Sequence, residues 1–144
     1  MTKIRSENES QPTPIRPTRV VLLVEDEPLV AMIAEDYLEG LGFSSVHVAA
    51  AAAAVSAIRD GLQPAFAMID MGLPDARGDE LVRELRTIRP DLPVIIVSGY
   101  SHSELQSQFA GDLCVAIVTK PYAEADLIRA AATLGVMEGA GRAG

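Results

Sequence analysis

The strongest constraint in this chain is an alternation: short aliphatic runs without polar interruption are followed, five times over, by segments whose apolar residues recur at helical spacing. Val20 to Val24, Ala65 to Ile69 and Val94 to Val97 have the character of strands buried on both faces, which in a parallel sheet read as continuous rather than alternating apolar runs. Phe43 to Val48 and Leu113 to Val118 complete the set. Strands that alternate with helices in this way imply βα units. Right-handed crossovers then predict an α/β fold, a doubly wound five-stranded parallel sheet in a three-layer α/β/α sandwich.

The helical segments carry their own punctuation. Pro28 stands at a favourable first helical position, and Leu29, Met32, Ile33, Tyr37 and Leu41 follow at the spacing of one apolar face, stopped by Gly40 and Gly42. The alanine run from Ala49 to Ala54, with Val55 and Ile58, gives the second helix, which Asp60-Gly61 ends. Leu81, Val82, Leu85 and Ile88 mark the third, closed by Pro90. Ser101 to Ala110 offers only Leu105 and Phe109 as anchors, so this helix should be the shortest and the least firmly packed. Leu127, Ile128, Ala131 and Leu134 support the last.

A length of 144 residues fits one domain. Its boundaries are expected at 19–137, with a mobile tail over 1–18, where Pro12, Pro14 and Pro17 oppose regular structure, and a flexible Gly- and Ala-rich end over 138–144. The net charge of −8 argues against nucleic-acid binding, which needs a clustered excess of Lys and Arg. No apolar run is long enough to span a bilayer, and Cys114 is the sole cysteine, read as a structural thiol. A cytoplasmic location is the default expectation.

Open parallel sheets bind ligands beyond the carboxyl ends of their strands. Glu25 and Asp26 follow the first strand, Asp70 the third, Ser98 the fourth and Lys120 the fifth. Each alone could be a cap or a loop corner; their joint placement on one edge is the main functional signal. His47 and His102 have no partners at metal-ligand or triad spacing, and His47 should point away from the core. Asp75 and Gly78 are read as shaping the loop after Asp70 by turn chemistry.

The motifs VLLVEDEP, MIDMGLPDARG, VIIVSGY and TKPY, in this order and spacing, resemble the receiver domains of bacterial two-component response regulators, over Arg19 to Gly135. The resemblance implies the flavodoxin-like strand order 2-1-3-4-5 and a single-domain, CheY-like phosphoacceptor that is not an enzyme in the ordinary sense. It further implies Mg²⁺ held by Glu25, Asp26, Asp70 and the backbone carbonyl of Gly72, with Asp70 as phosphoacceptor, Ser98 as switch hydroxyl, Lys120 as phosphate-contacting cation and a cis Lys120-Pro121 bond. The implied partners are a sensor histidine kinase or histidine phosphotransferase and a downstream protein, the chain being a monomer or a weak phosphorylation-dependent dimer.

The residue types suit that chemistry. Converging carboxylates raise one another's pKa unless a hard cation lies between them, and Mg²⁺ prefers oxygen ligands. An ionised Asp is a carboxylate nucleophile that needs no separate base. Ile117 departs from the family pattern, standing where many receivers carry a Tyr or Phe that moves with the switch hydroxyl; Tyr100 is either a nearby substitute or a structural residue. Two other readings are a Mg²⁺-dependent phosphohydrolase of haloacid-dehalogenase type, whose pattern has an Asp where this chain has Gly72, and a receiver-like docking module that is not phosphorylated.

Overall fold

The structure is a computed structural model and describes residues 19–99 and 103–137. Its chain order is β1 (Val20–Val24), α1 (Pro28–Gly40), β2 (Ser44–Val48), α2 (Ala51–Arg59), β3 (Phe66–Asp70), α3 (Gly78–Ile88), β4 (Val94–Ser98), α4 (Ser103–Gln108), β5 (Val115–Thr119) and α5 (Glu124–Leu134). The five strands form one parallel sheet in the order β2-β1-β3-β4-β5. Sheet type and strand order are those expected. The tails, Tyr100 and His102 lie outside the described residues.

Side chains on a strand alternate between faces, so a strand buried on both sides feeds two cores. On one face Leu22 and Val24 of β1, Ala67 and Ile69 of β3, and Val94 and Ile96 of β4 pack with Val55, Ile58, Leu81 and Leu85 of α2 and α3. On the other, Val21, Leu23, Phe66, Met68, Ile95 and Val97 pack with Ala31, Ala34 and Leu38 of α1 and with Leu127 and Ala130 of α5. Helices on both faces and short loops at the strand ends concentrate the loops where polar residues can meet.

Three expectations need correction. In α1 the buried stripe is Ala31, Ala34 and Leu38, whereas Leu29, Met32 and Ile33 are 74%, 58% and 51% exposed. The small residues face the sheet and the bulky ones leave it. Leu113 does not begin β5; it is 86% exposed, in a turn where the Asp112 carboxylate accepts the Cys114 N–H at 2.9 Å. Phe43 precedes β2 instead of opening it, and is buried edge-to-face against Phe66 with ring centroids 5.3 Å apart.

The Asp112 turn depends on Arg86 of α3. Its guanidinium pairs with Asp112 at 2.5 Å and donates to the carbonyls of Leu92 at 3.1 Å and Cys114 at 3.0 Å, tying α3 to the starts of β4 and β5. Burial opposes the charge on Asp112, but Arg86 and the Cys114 N–H outweigh it and hold its pKa below the ordinary value. Arg86→Met should therefore cost about 2 kcal/mol in urea unfolding at neutral pH, because a carboxylate and two carbonyls lose their donor. The carboxylate's part is present above the unfolded pKa of 3.8 and is lost as pH falls through the lowered folded value. The gap between variant and wild type should narrow in that acid window, and a gap independent of pH would contradict the pairing.

Candidate functional site

The turn after β1 carries two of the expected acids. Glu25 is buried, its N–H donates to the Val48 carbonyl at 3.0 Å, and its Oε2 accepts the Glu27 N–H at 3.0 Å. Asp26 is exposed beside it. Asp70 closes β3 and is buried, held in register with Val97 of β4. Carboxylate oxygens of Glu25, Asp26 and Asp70 all lie within 4.8 Å of one another.

Both oxygens of Asp70 are engaged. Oδ1 pairs with Lys120 Nζ at 2.5 Å, and Oδ2 accepts the Gly72 N–H at 2.9 Å. Lys120 is placed by the end of β5, where its N–H donates to the Ser98 carbonyl at 2.8 Å, and its bond to Pro121 is cis as expected. Ser98, buried at the end of β4, lines the same cleft of about 720 Å³ as Asp26, Asp70, Gly72 and Lys120. The structure thus brings together Glu25, Asp26, Asp70, Gly72, Ser98 and Lys120 from four strand ends.

The electrostatics follow from this crowding. Burial raises the pKa of Glu25; the Glu27 N–H and Lys120 lower it, while Asp70 and Asp26 add to the rise, and the balance is upward. Burial works against the charge of Lys120, yet the bond to Asp70 and the charges of Asp70, Glu25 and Glu27 hold its ammonium above the ordinary value. Tyr122, stacked edge-on to Tyr37, is pushed up to about 12, first by burial and then by Glu25. One lysine faces three carboxylates. The donor set is hard oxygen throughout and its excess charge is negative, which fits a divalent cation such as Mg²⁺.

Several residues in or around the cleft escaped the sequence reading. Arg77 lines it, with its guanidinium doubly bonded to the buried Asp79 at 3.0 and 3.3 Å, and Glu27, Glu104 and Leu105 complete the wall. Arg77 lies within the quoted motif after Asp70, but only the fold shows that it turns toward the cleft. Asp75 does more than form a turn: its carboxylate accepts the Ala51 and Ala52 N–H groups at 2.8 and 3.0 Å and so caps α2. Those bonds, that of Ala52 first, lower its pKa. Gly78 has a steric role, since a Cβ there would lie 2.7 Å from the Asp70 carbonyl oxygen. His47 is exposed, as expected, but bonds the Glu25 carbonyl oxygen at 2.7 Å.

Comparison with known proteins decides the family. The model of the response regulator receiver domain matches residues 21–132. The chain belongs to the response regulator receiver domain family. As a receiver it is a phosphoacceptor module of two-component signalling. A sensor kinase of Brucella abortus, CckA, is 32% identical over 112 residues, covering 76% of this chain and 12% of that protein. The chain therefore spans only a small part of that relative.

Among solved structures, a response regulator receiver protein of Sinorhizobium medicae superposes with a TM-score of 0.73 at 27% identity, over 84% of this chain and 98% of that one. A sensor protein of a Polaromonas species gives 0.71 at 31% identity, over 84% and 99%. These relatives fit the receiver fold described above. Among the described residues, no helix is long and apolar enough to cross a membrane.

Proposed function

We propose that Asp70 accepts a phosphoryl group from the phosphohistidine of a sensor histidine kinase or histidine phosphotransferase, in a Mg²⁺-dependent reaction in the cytoplasm. The observation that carries this is the placement of Asp70, buried, with its carboxylate within 4.8 Å of those of Glu25 and Asp26 and its Oδ1 on Lys120. An Asp70 oxygen attacks phosphorus, the bond from phosphorus to the histidine nitrogen breaks, and the electron pair leaves with the imidazole. Later attack by water returns Asp70 and inorganic phosphate. Glu25, Asp26, Asp70 and the Gly72 carbonyl would hold Mg²⁺, which would offset charge on the transferring oxygens.

Lys120 supplies a compact positive charge at Asp70 Oδ1, and the Gly72 N–H fixes the carboxylate so that it need not reorient. Ser98 would donate its hydroxyl to a phosphoryl oxygen. Phosphorylation adds charge and strong acceptors, so the conformer that bonds them best gains population. The wall that could respond is α4, a six-residue helix whose one buried residue, Leu105, belongs both to the cleft and to the core under α2 and α3. We take residues 19–137 as the receiver unit. Its output is a protein-binding surface formed by α4, β5 and α5, used as a monomer or through a weak phosphorylation-dependent dimer.

Incubation with acetyl phosphate and Mg²⁺, followed by intact mass measurement, tests this. A phosphoryl adduct that forms with Mg²⁺ and not after chelation is the expected result. Turnover of varied phosphate esters without an adduct would favour the phosphohydrolase, and no reaction of either kind the docking module.

A further inference from the structure

We propose that His47, on the exposed edge strand, is a positioning residue for the metal-binding acids: it fixes the peptide group that joins Glu25 to Asp26. The inference rests on the Mg²⁺ reading of the acid group. In the parallel register His47 stands opposite Leu23, so its side chain shares a face with Leu23 and, two residues on, with Glu25. The imidazole reaches along the strand and its Nε2 lies 2.7 Å from the Glu25 carbonyl oxygen. A carbonyl oxygen can only accept, so Nε2 carries the proton and donates.

The consequence for the site comes from peptide geometry. The Glu25 N–H is already held by the Val48 carbonyl at 3.0 Å, and the His47 bond holds the other end of the same residue. Because the peptide unit is planar, fixing the Glu25 carbonyl also fixes the N–H and the Cα of Asp26. The main chain that carries both carboxylates of the turn is then steadied by a side chain 22 residues away in sequence. Beyond Val48 the β1–β2 pairing stops. The turn that bears the two acids is therefore steadied by His47 at the point where the regular ladder ends. Partners that orient metal ligands act through affinity more than through stability.

The test is calorimetric titration of Mg²⁺ into the full chain and into His47→Leu, His47→Thr and His47→Gln, with thermal melts recorded without Mg²⁺. Leu has no donor, and the Thr hydroxyl, attached at Cβ, is too short to take the place of Nε2, whereas the Gln amide can reach the carbonyl. Affinity should fall about three- to tenfold in the Leu and Thr variants and stay within about twofold in Gln, the scale of one hydrogen bond that orders a ligand. In the acetyl phosphate assay the Mg²⁺ concentration for half-maximal rate should rise by the same factor, with the rate at saturation little changed. Wild-type affinity in Leu and Thr, or equal weakening in Gln, overturns the positioning role, including the case where only the melting temperature falls. Failure of the wild-type chain to bind Mg²⁺ would instead overturn the metal reading, and this inference with it.

Discussion

Asp70→Asn should leave a folded protein that no longer acquires the phosphoryl group. The amide matches the carboxylate in shape, and its oxygen can still accept the Gly72 N–H that now reaches Oδ2. Two electrostatic changes oppose each other. Lys120 loses the carboxylate it contacts at 2.5 Å, but Glu25 and Glu27 remain near it, and Glu25 is relieved of a neighbouring charge that pushes its pKa upward. The net change in stability should stay within about 1 kcal/mol, since Lys120 is partly solvated and a like-charge contact disappears together with an opposite-charge one. Chemistry has no such compensation. An amide is a far weaker nucleophile than a carboxylate, so adduct formation from acetyl phosphate should fall by at least about a thousandfold. Intact mass and a urea titration of the same sample separate the two effects, and a wild-type amount of adduct on the Asn variant would move the nucleophile to Glu25 or Asp26.

How much of this could be read before the structure depended on whether the information was local. The strands β1, β3 and β4 are buried on both faces, so their aliphatic runs stood out without any knowledge of partners, and the residues at their ends were marked by the same boundary. That is why Glu25, Asp26, Asp70 and Ser98 were legible as a group; Lys120 follows the less buried β5 and was marked by the end of its apolar run and the TKPY motif. In α1 two stripes compete at helical spacing, and hydrophobicity alone favours Leu29, Met32 and Ile33. Close approach of the helix to the sheet favours the alanines instead, so Ala31 and Ala34 are buried with Leu38. Leu113 was misplaced for a related reason: an apolar residue next to a strand extends it only if no side chain ends the ladder, and Asp112 with Arg86 builds a turn there.

What stayed illegible is carried by contacts between distant segments. Asp75 caps α2 from the loop after β3, across 24 residues, and His47 reaches Glu25 only because β2 pairs with β1 in one particular register. A shift of that register by one residue would turn the imidazole to the other face. Neither pairing leaves a mark in the local sequence.

Gly78→Ala carries the largest expected effect on the fold. Within a helix the exchange of Gly for Ala ordinarily stabilises by about 1 kcal/mol, and Gly78 is the first residue of α3. Here the added Cβ would meet the Asp70 carbonyl oxygen at 2.7 Å and the Met71 Cα at 2.9 Å, both backbone atoms that cannot rotate away. Asp70 cannot retreat, because it is paired with Val97 inside the sheet, and Gly72 and Arg77 bridge the intervening loop. The start of α3 must therefore move, against Leu81 and Leu85 in the core. Overpacking of this kind should reverse the helical gain and destabilise by roughly 3 kcal/mol. At temperatures where the variant is folded, displacement around Asp70 should also slow adduct formation by about tenfold or more. Gly72→Ala is the control. Its Cβ would lie 3.4 Å from Asp70 Oδ2, an ordinary contact, and its φ is not positive, so its cost should stay below about 1 kcal/mol. Thermal melts of the two variants rank the sites directly. If Gly72→Ala proved the more damaging, the constraint on Asp70 would lie on the side-chain side of the cleft and not in the backbone packing between β3 and α3.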